Sequence, residues 1–233
     1  MNFDVIKRIL DDYGFLFLHG VKITLLLAFT GTIIGLVIGL IVGGIKAIKI
    51  EANDSFPIKL LKRIVGFVLS VYIEFFRGTP MMVQSVFIYY GFRQLFHWTP
   101  IVAGIFVISV NTGAYMAEII RSGIQSVDQG QSEGARSVGM SSIQTMIYIV
   151  LPQAIKNSFP SIINEFITNI KDSSVLNVIQ INELFFQGKA AAGSNYKYAE
   201  TYFIIALIYL CLTFPTSKFL GYIEKQINRT KKA

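Results

Sequence analysis

Apolar residues in this chain come in long blocks, not in the alternating runs of a strand or the one-sided stripe of a soluble helix. A helix crosses about 30 Å of hydrocarbon in about 20 residues, and five blocks reach that length: residues 21–45, 64–90, 101–120, 147–171 and 201–220. The pattern predicts an all-α polytopic membrane protein with five transmembrane helices. Ahead of the first block, Phe3, Ile6, Leu10 and Tyr13 recur at helical spacing among Asp4, Lys7, Arg8, Asp11 and Asp12, which predicts a short amphipathic helix on the membrane surface. The blocks are not uniform. The first carries Gly31, Gly35, Gly39 and Gly43 at four-residue spacing, a stripe that lets another helix backbone come close and predicts packing within the subunit. Glu74, Arg77, Gly78 and Pro80 interrupt the second, and Pro152 and Pro160 predict a kinked fourth helix.

Composition agrees with the blocks. Of 233 residues 53% are hydrophobic and only 15% charged, against about 25% charged in soluble domains, and the mean hydropathy is +0.55. Five spans and their connections use up the length, so residues 1–233 read as one transmembrane domain. The net charge of +7 follows sidedness: Lys46, Lys49, Lys59, Lys62 and Arg63 follow the first block, Arg121 and Arg136 lie in the loop of residues 121–146, and Lys218, Lys225, Arg229, Lys231 and Lys232 mark the tail. The alternate connections carry only Arg93, Lys189 and Lys197. The positive-inside rule then puts the amino terminus outside and the carboxyl terminus inside, and the charge needs no nucleic acid to explain it. Cys211 is the only cysteine, and His19 and His97 sit at block borders without ligand neighbours, so no metal site is expected.

The most informative segment lies between the third and fourth blocks. EGARSVGMSSIQTMIYIVLPQAI, residues 133–155, reads as a small-residue helix, a break at Gly139 and a second helix entering the membrane through Leu151 and Pro152. It resembles the EAA loop of ABC importer permeases, matching it at Glu133, Ala135, Gly139, Ile149, Leu151 and Pro152, with Gly134 in place of the first alanine. That glycine costs the helix roughly 1 kcal/mol of propensity and keeps the close-approach surface. YIEFFRGTPMMVQ, residues 72–84, and NTGAYMAEIIRSGIQSV, residues 111–127, are similar to signatures of the polar amino acid branch of those permeases. The resemblance implies a type I ABC importer permease in the cytoplasmic membrane of a prokaryote, a dimer of permease subunits, two ATPase subunits inside and a substrate-binding protein outside. It also implies that Glu133, Gly134, Ala135, Gly139 and Met140 couple this chain to the ATPase. The chain lacks a GxxxxGK[S/T] phosphate loop, so ATP and Mg²⁺ are expected on the partner, with no cofactor in this chain and no covalent catalysis by it.

For the substrate, the fourth block offers Glu165, Asn169 and Asp172 on one helix face, with Thr168 beside them. Charges at membrane depth normally face a bundle interior or a wet cavity. A free amino acid needs an anionic partner for its ammonium and a cationic or amide donor for its carboxylate. Glu165 and Asp172 are candidates for the first role, Asn169 and Arg77 for the second. Simpler readings stand beside these: Lys171 and Asp172 as markers of a helix end, an ion pair of Arg77 with Glu74, and a local pair of Glu118 with Arg121. Two other functional readings remain: a gradient-driven transporter or channel using Glu165 and Asp172 as an ion or proton relay, and a membrane-embedded enzyme, for which no nucleophile, base and orienting group recur on adjacent faces. Arginine, lysine, histidine, glutamine and cystine all stay open as cargo.

Overall fold

The computed structural model of the chain describes residues 3–48, 50 and 54–229, for residues 224–229 the backbone alone. Of the charge pattern, Lys49, Lys231 and Lys232 and the side chains of Lys225 and Arg229 lie outside the described residues. Among the described residues every regular element is helical.

The first helix, α1 (Phe3–Ala47), has 45 residues and so runs about 68 Å at about 1.5 Å per residue. The amphipathic amino-terminal segment is thus not a separate element but the beginning of the first span, because no proline or capping turn intervenes. Part of it packs on protein: Ile9 and Phe17 are buried with Leu184, Ala191, Ile204 and Ile205 of the carboxyl-terminal helices and Ile6 and Tyr13 pack beside them, while Phe3 and Leu10 stay exposed.

The second block divides into α2 (Phe56–Gly78) and α3 (Met81–Phe96), separated at Thr79 and Pro80. Only Ile73 of α2 is buried, so most of this helix stands free of the rest of the chain. Half of the 26 residues of α4 (Pro100–Gln125) are buried, which makes it the central helix. The glycine stripe of α1 lies directly on it. A Cβ at Gly35 would come within 2.7 Å of Thr112 Cγ2, one at Gly39 within 2.8 Å of the Met116 carbonyl carbon, and one at Gly43 within 2.7 Å of the Ala117 oxygen. The stripe therefore serves packing inside the subunit, as its spacing predicts.

Two short helices follow, α5 (Gln129–Ser137) and α6 (Ser142–Thr145). A wide π turn, Met146–Val150, leads from α6 into α7 (Leu151–Asp172), and its marker is the Leu151 N–H, which donates to the Met146 carbonyl five residues back. Pro152 explains the widening: its ring would collide with the carbonyl four residues earlier in an ordinary turn. The helix continues through Pro160. A 3₁₀ segment, Ser173–Ile179, then reaches α8 (Leu184–Asn195) and α9 (Tyr198–Arg229). Leu176 and Ile179 of that segment close a core with Leu27, Ile88, Val107 and Ile108 from α1, α3 and α4.

By length and composition α1, α4 and residues 198–223 of α9 are each apolar enough to cross a membrane. The α2–α3 pair and α7 complete the five passes, although Glu74 and Arg77 in α2 and Lys156, Glu165 and Lys171 in α7 dilute their hydropathy.

Candidate functional site

The site is organised by the break between α2 and α3. Thr79 and Pro80 are extended, and Pro80 has no N–H to offer the Phe76 carbonyl. Two buried amides on neighbouring elements take over. Gln84 Nε2 donates to the Phe76 carbonyl (2.9 Å), the Thr79 carbonyl (2.9 Å) and Thr79 Oγ1 (2.8 Å). Asn111 Nδ2 on α4 donates to the Phe76 carbonyl (3.1 Å) and to Gln84 Oε1 (2.9 Å). The break is therefore a fixed feature, with its exposed carbonyls satisfied.

Beside it opens a cleft of about 420 Å³, whose walls include Arg77, Gly78, Met81, Tyr115 and Asp172. Arg77 and Asp172, 95 residues apart in sequence, thus line one cavity without forming an ion pair. The Arg77 guanidinium lies over the Tyr115 ring, 5.5 Å from its centroid, and its Nη1 is 3.9 Å from Glu118 Oε2. It has no hydrogen-bond partner among the described residues. Glu118 is held instead by Arg121, through Nε at 3.1 and 3.2 Å and Nη2 at 2.8 Å. The local pair of Glu118 with Arg121 is therefore formed, while Arg77 turns to Glu118 and not to Glu74, which is exposed on α2. The chain direction after Arg77 explains this: the helix ends there and points its last side chain at α4.

The other α7 candidates take separate positions. Asn169 is buried; its Oδ1 accepts from Thr112 Oγ1 and its Nδ2 donates to Thr32 Oγ1, both at 2.9 Å. With both ends engaged it ties α7 to α4 and α1. Glu165 and Thr168 are half-buried further back along α7, outside the cleft wall, and Lys171 is exposed.

Residues 128–151 form an elbow. Asp128 caps α5 by accepting from the Gly130 N–H at 2.7 Å, and Gly139, at φ +90°, ends it in a conformation that suits glycine. Ser141 and Gln144 cap α6 reciprocally. Glu133, Gly134 and Gly139 are exposed, Met140 is half-buried and Ala135 is buried. Val138 (78% exposed), Ile143 (67%) and Tyr148 (69%) give the elbow an apolar outer surface, more than a solvated turn normally shows.

One buried acid has no counterpart in the sequence reading. Glu183, fully buried, caps α8 by accepting from the N–H groups of Phe185 (2.8 Å) and Phe186 (2.7 Å), and also accepts from Tyr209 Oη (3.0 Å). Burial pushes its carboxyl above the usual carboxylate range, opposed in part by those donors. The sequence signal available was an acid directly ahead of the apolar run LFF, the pattern of an N-cap. Among the described residues no group of three His, Cys, Asp or Glu side chains is placed to hold a metal, and His19 and His97 are exposed.

Comparison with known proteins gives a consistent picture. Residues 52–229 match the family described as binding-protein-dependent transport system inner membrane component. The chain is 37% identical to the probable amino-acid permease protein YxeN of Bacillus subtilis, over 91% of each chain. It is 34% identical to the glutamine transport system permease protein GlnP of Escherichia coli, over 91% of this chain and 93% of the other. A solved amino acid ABC transporter with histidines is 39% identical and superposes with a TM-score of 0.80, over 93% of this chain and 96% of its own. The inward-facing methionine transporter MetNI, at 20% identity and a TM-score of 0.77, shares the fold.

Proposed function

The chain belongs to the family of binding-protein-dependent transport system inner membrane components, and from that premise we propose that it is the permease subunit of an ATP-driven importer of polar amino acids. The observation that carries the site is that Arg77 and Asp172 both line the cleft at the α2–α3 break. Interrupted helices are where membrane transporters hold charged cargo, because helix ends and fixed side chains replace the water a charged group gives up. A zwitterion fits this cleft in one sense: its carboxylate on the Arg77 guanidinium, its ammonium on Asp172. Glu165 and Thr168 are the next polar groups along α7 for a cationic or amide side chain. Asn169 fixes the helix that carries them.

The elbow is the coupling element. Glu133, Gly134, Ala135, Gly139 and Met140, with exposed Val138 and Ile143, dock an ATPase subunit that holds ATP and Mg²⁺; this chain supplies the path and catalyses no covalent step. A second permease subunit completes the path, and a substrate-binding protein delivers cargo from outside. The amino terminus faces outward and the carboxyl terminus the cytoplasm, a reading supported by the Lys and Arg residues that follow the first span and mark the tail. When the ATPase pair closes, the elbow moves with it and pulls on α7, opening the Arg77–Asp172 cleft to the other side.

The test is uptake of radiolabelled L-arginine and L-glutamine by proteoliposomes holding the permease, its ATPase and its binding protein. Hydrogen bonds to charged groups are worth about 1.5–3 kcal/mol, so Arg77→Gln or Asp172→Asn should lower uptake by about tenfold or more while ATPase still co-purifies. Glu133→Ala should lose the ATPase. Undiminished uptake by Arg77→Gln would remove the cleft from the transport path, and uptake driven by an ion gradient without ATP would remove the ATPase.

A further inference from the structure

Arg77 is not the only cation at Glu118. The carboxylate is already held side-on by Arg121 through three contacts of 2.8–3.2 Å, and Lys46, bound to Ser70 at 3.1 Å, adds its field from α1. Arg77 approaches the same Oε2 only to 3.9 Å, beyond hydrogen-bond reach. Arg77 lines the cleft, and its side chain is 39% exposed. Glu118 is therefore a rival carboxylate for Arg77, kept from winning by Arg121.

Resting on the reading that Arg77 takes the substrate carboxylate, we propose that Glu118 and Arg121 set how tightly Arg77 holds it: Arg121 occupies Glu118 so that Arg77 is available, and Glu118 stays near enough to weaken the grip and let substrate leave. A transport site needs both halves of this balance, since a path conducts only if cargo binds well enough to enter and weakly enough to depart. Neither residue touches substrate; both act through Arg77. The charge arithmetic gives the two substitutions opposite signs. Neutralising Glu118 leaves Arg77 with more unshared positive field and tightens carboxylate binding. Neutralising Arg121 frees Glu118 to draw Arg77 in and loosens it. Exposure limits the size: pairs this open to solvent shift an equilibrium by about two- to fivefold.

The experiment is equilibrium binding of L-arginine and L-glutamine to the purified permease–ATPase complex, each compared with its α-amide, which lacks the carboxylate charge. The ratio of acid to amide affinity reports the charges around the substrate carboxylate, and the Arg77→Gln background isolates the share that acts through Arg77. Glu118→Gln should raise that ratio about two- to fivefold and slow uptake in proteoliposomes; Arg121→Gln should lower it; in an Arg77→Gln background neither should change it. Damage to packing would lower acid and amide binding together and in the same direction for both substitutions. If Arg77→Gln abolishes the acid preference but Glu118→Gln and Arg121→Gln move it the same way or leave it alone, the balance is refuted and the cleft stands. A preference untouched by Arg77→Gln refutes the cleft itself. Should Glu118→Gln fail to assemble, Glu118→Asp carries the test, because it draws the charge back from Arg77 and should raise the ratio by a smaller factor; no rise there overturns the proposal.

Discussion

Replacing Gln84 by leucine is the sharpest probe of the α2–α3 break. The side chain is of similar size, so the substitution deletes hydrogen bonds and little else. Four contacts disappear: three donated by Nε2 to Phe76 and Thr79, and the one that Oε1 accepts from Asn111. Inside membranes a side-chain hydrogen bond averages about 0.6 kcal/mol, which sums to roughly 2 kcal/mol. The Phe76 carbonyl keeps Asn111, but the Thr79 carbonyl loses its amide donor, and a buried unpaired polar group adds about 1–3 kcal/mol. A loss of about 3–5 kcal/mol is therefore expected, read as a lowered unfolding midpoint of the detergent-solubilised complex, together with weakened uptake because Arg77 and Gly78 lose their fixed positions. Gln84→Glu separates the two ends of the amide: it keeps an oxygen for Asn111 but sets a carboxylate against the Phe76 and Thr79 carbonyls, so it should destabilise at least as much as leucine. Wild-type stability and uptake in both variants would mean that Pro80 sterics alone hold the break, and the role given to the amides would be wrong.

Gly39→Val should destabilise more than Gly14→Val on the same helix, since a Cβ at Gly39 runs into the Met116 backbone while one at Gly14 meets nothing within 4 Å; the difference, about 1–3 kcal/mol for overpacking, is measurable by thermal unfolding in detergent. Tyr209→Phe removes the hydroxyl that donates to buried Glu183 at 3.0 Å and should lower stability by about 1.5–3 kcal/mol with little change in acid-over-amide preference. At Gly139 the φ of +90° makes alanine strained by about 1 kcal/mol, so Gly139→Ala should weaken co-purification of the ATPase before it affects substrate binding. Pro152→Ala removes the reason for the wide turn after α6; disulfide trapping between cysteines placed at Ile143 and on the docked ATPase should then lose its wild-type pairing.

What the sequence conveyed depended on how local each feature is. The glycine stripe is a property of one helix, and its four-residue spacing specified close packing before any partner was known. The elbow was legible in part for the same reason: the break at Gly139 and the membrane entry at Pro152 act within one or two turns, whereas the Ser141–Gln144 capping pair emerged only with the structure. The continuity of α1 was not legible, because polar residues before residue 21 look like a surface helix until Ile9 and Phe17 are seen packed on Leu184 and Ile205. Arg77 could be assigned a partner by helical spacing, which pointed to Glu74; in the structure it is turned to α4, over Tyr115 and towards Glu118, residues far away in sequence. Asn169 shares a spacing with Glu165 and Asp172, yet its two hydrogen bonds to Thr112 and Thr32 come from helices 57 and 137 residues away. Glu183 needed α8, α9 and the preceding 3₁₀ segment all in place before its burial made sense.

The wide turn at Met146–Val150 sets an angle as well as making room for a proline ring. Each residue of an α-helix turns the chain by about 100° and advances it about 1.5 Å, so the elbow and α7 can change their mutual phase only in steps of that size. Were the turn to close into an ordinary one, Val138 and Ile143 would swing about a quarter of the way around the axis of α7 and face a different neighbour. Pro152 bars that step. If the elbow is the coupling element we propose, a pull on it would reach α7 as translation and tilt, with the rotational setting of α7 locked by a single ring.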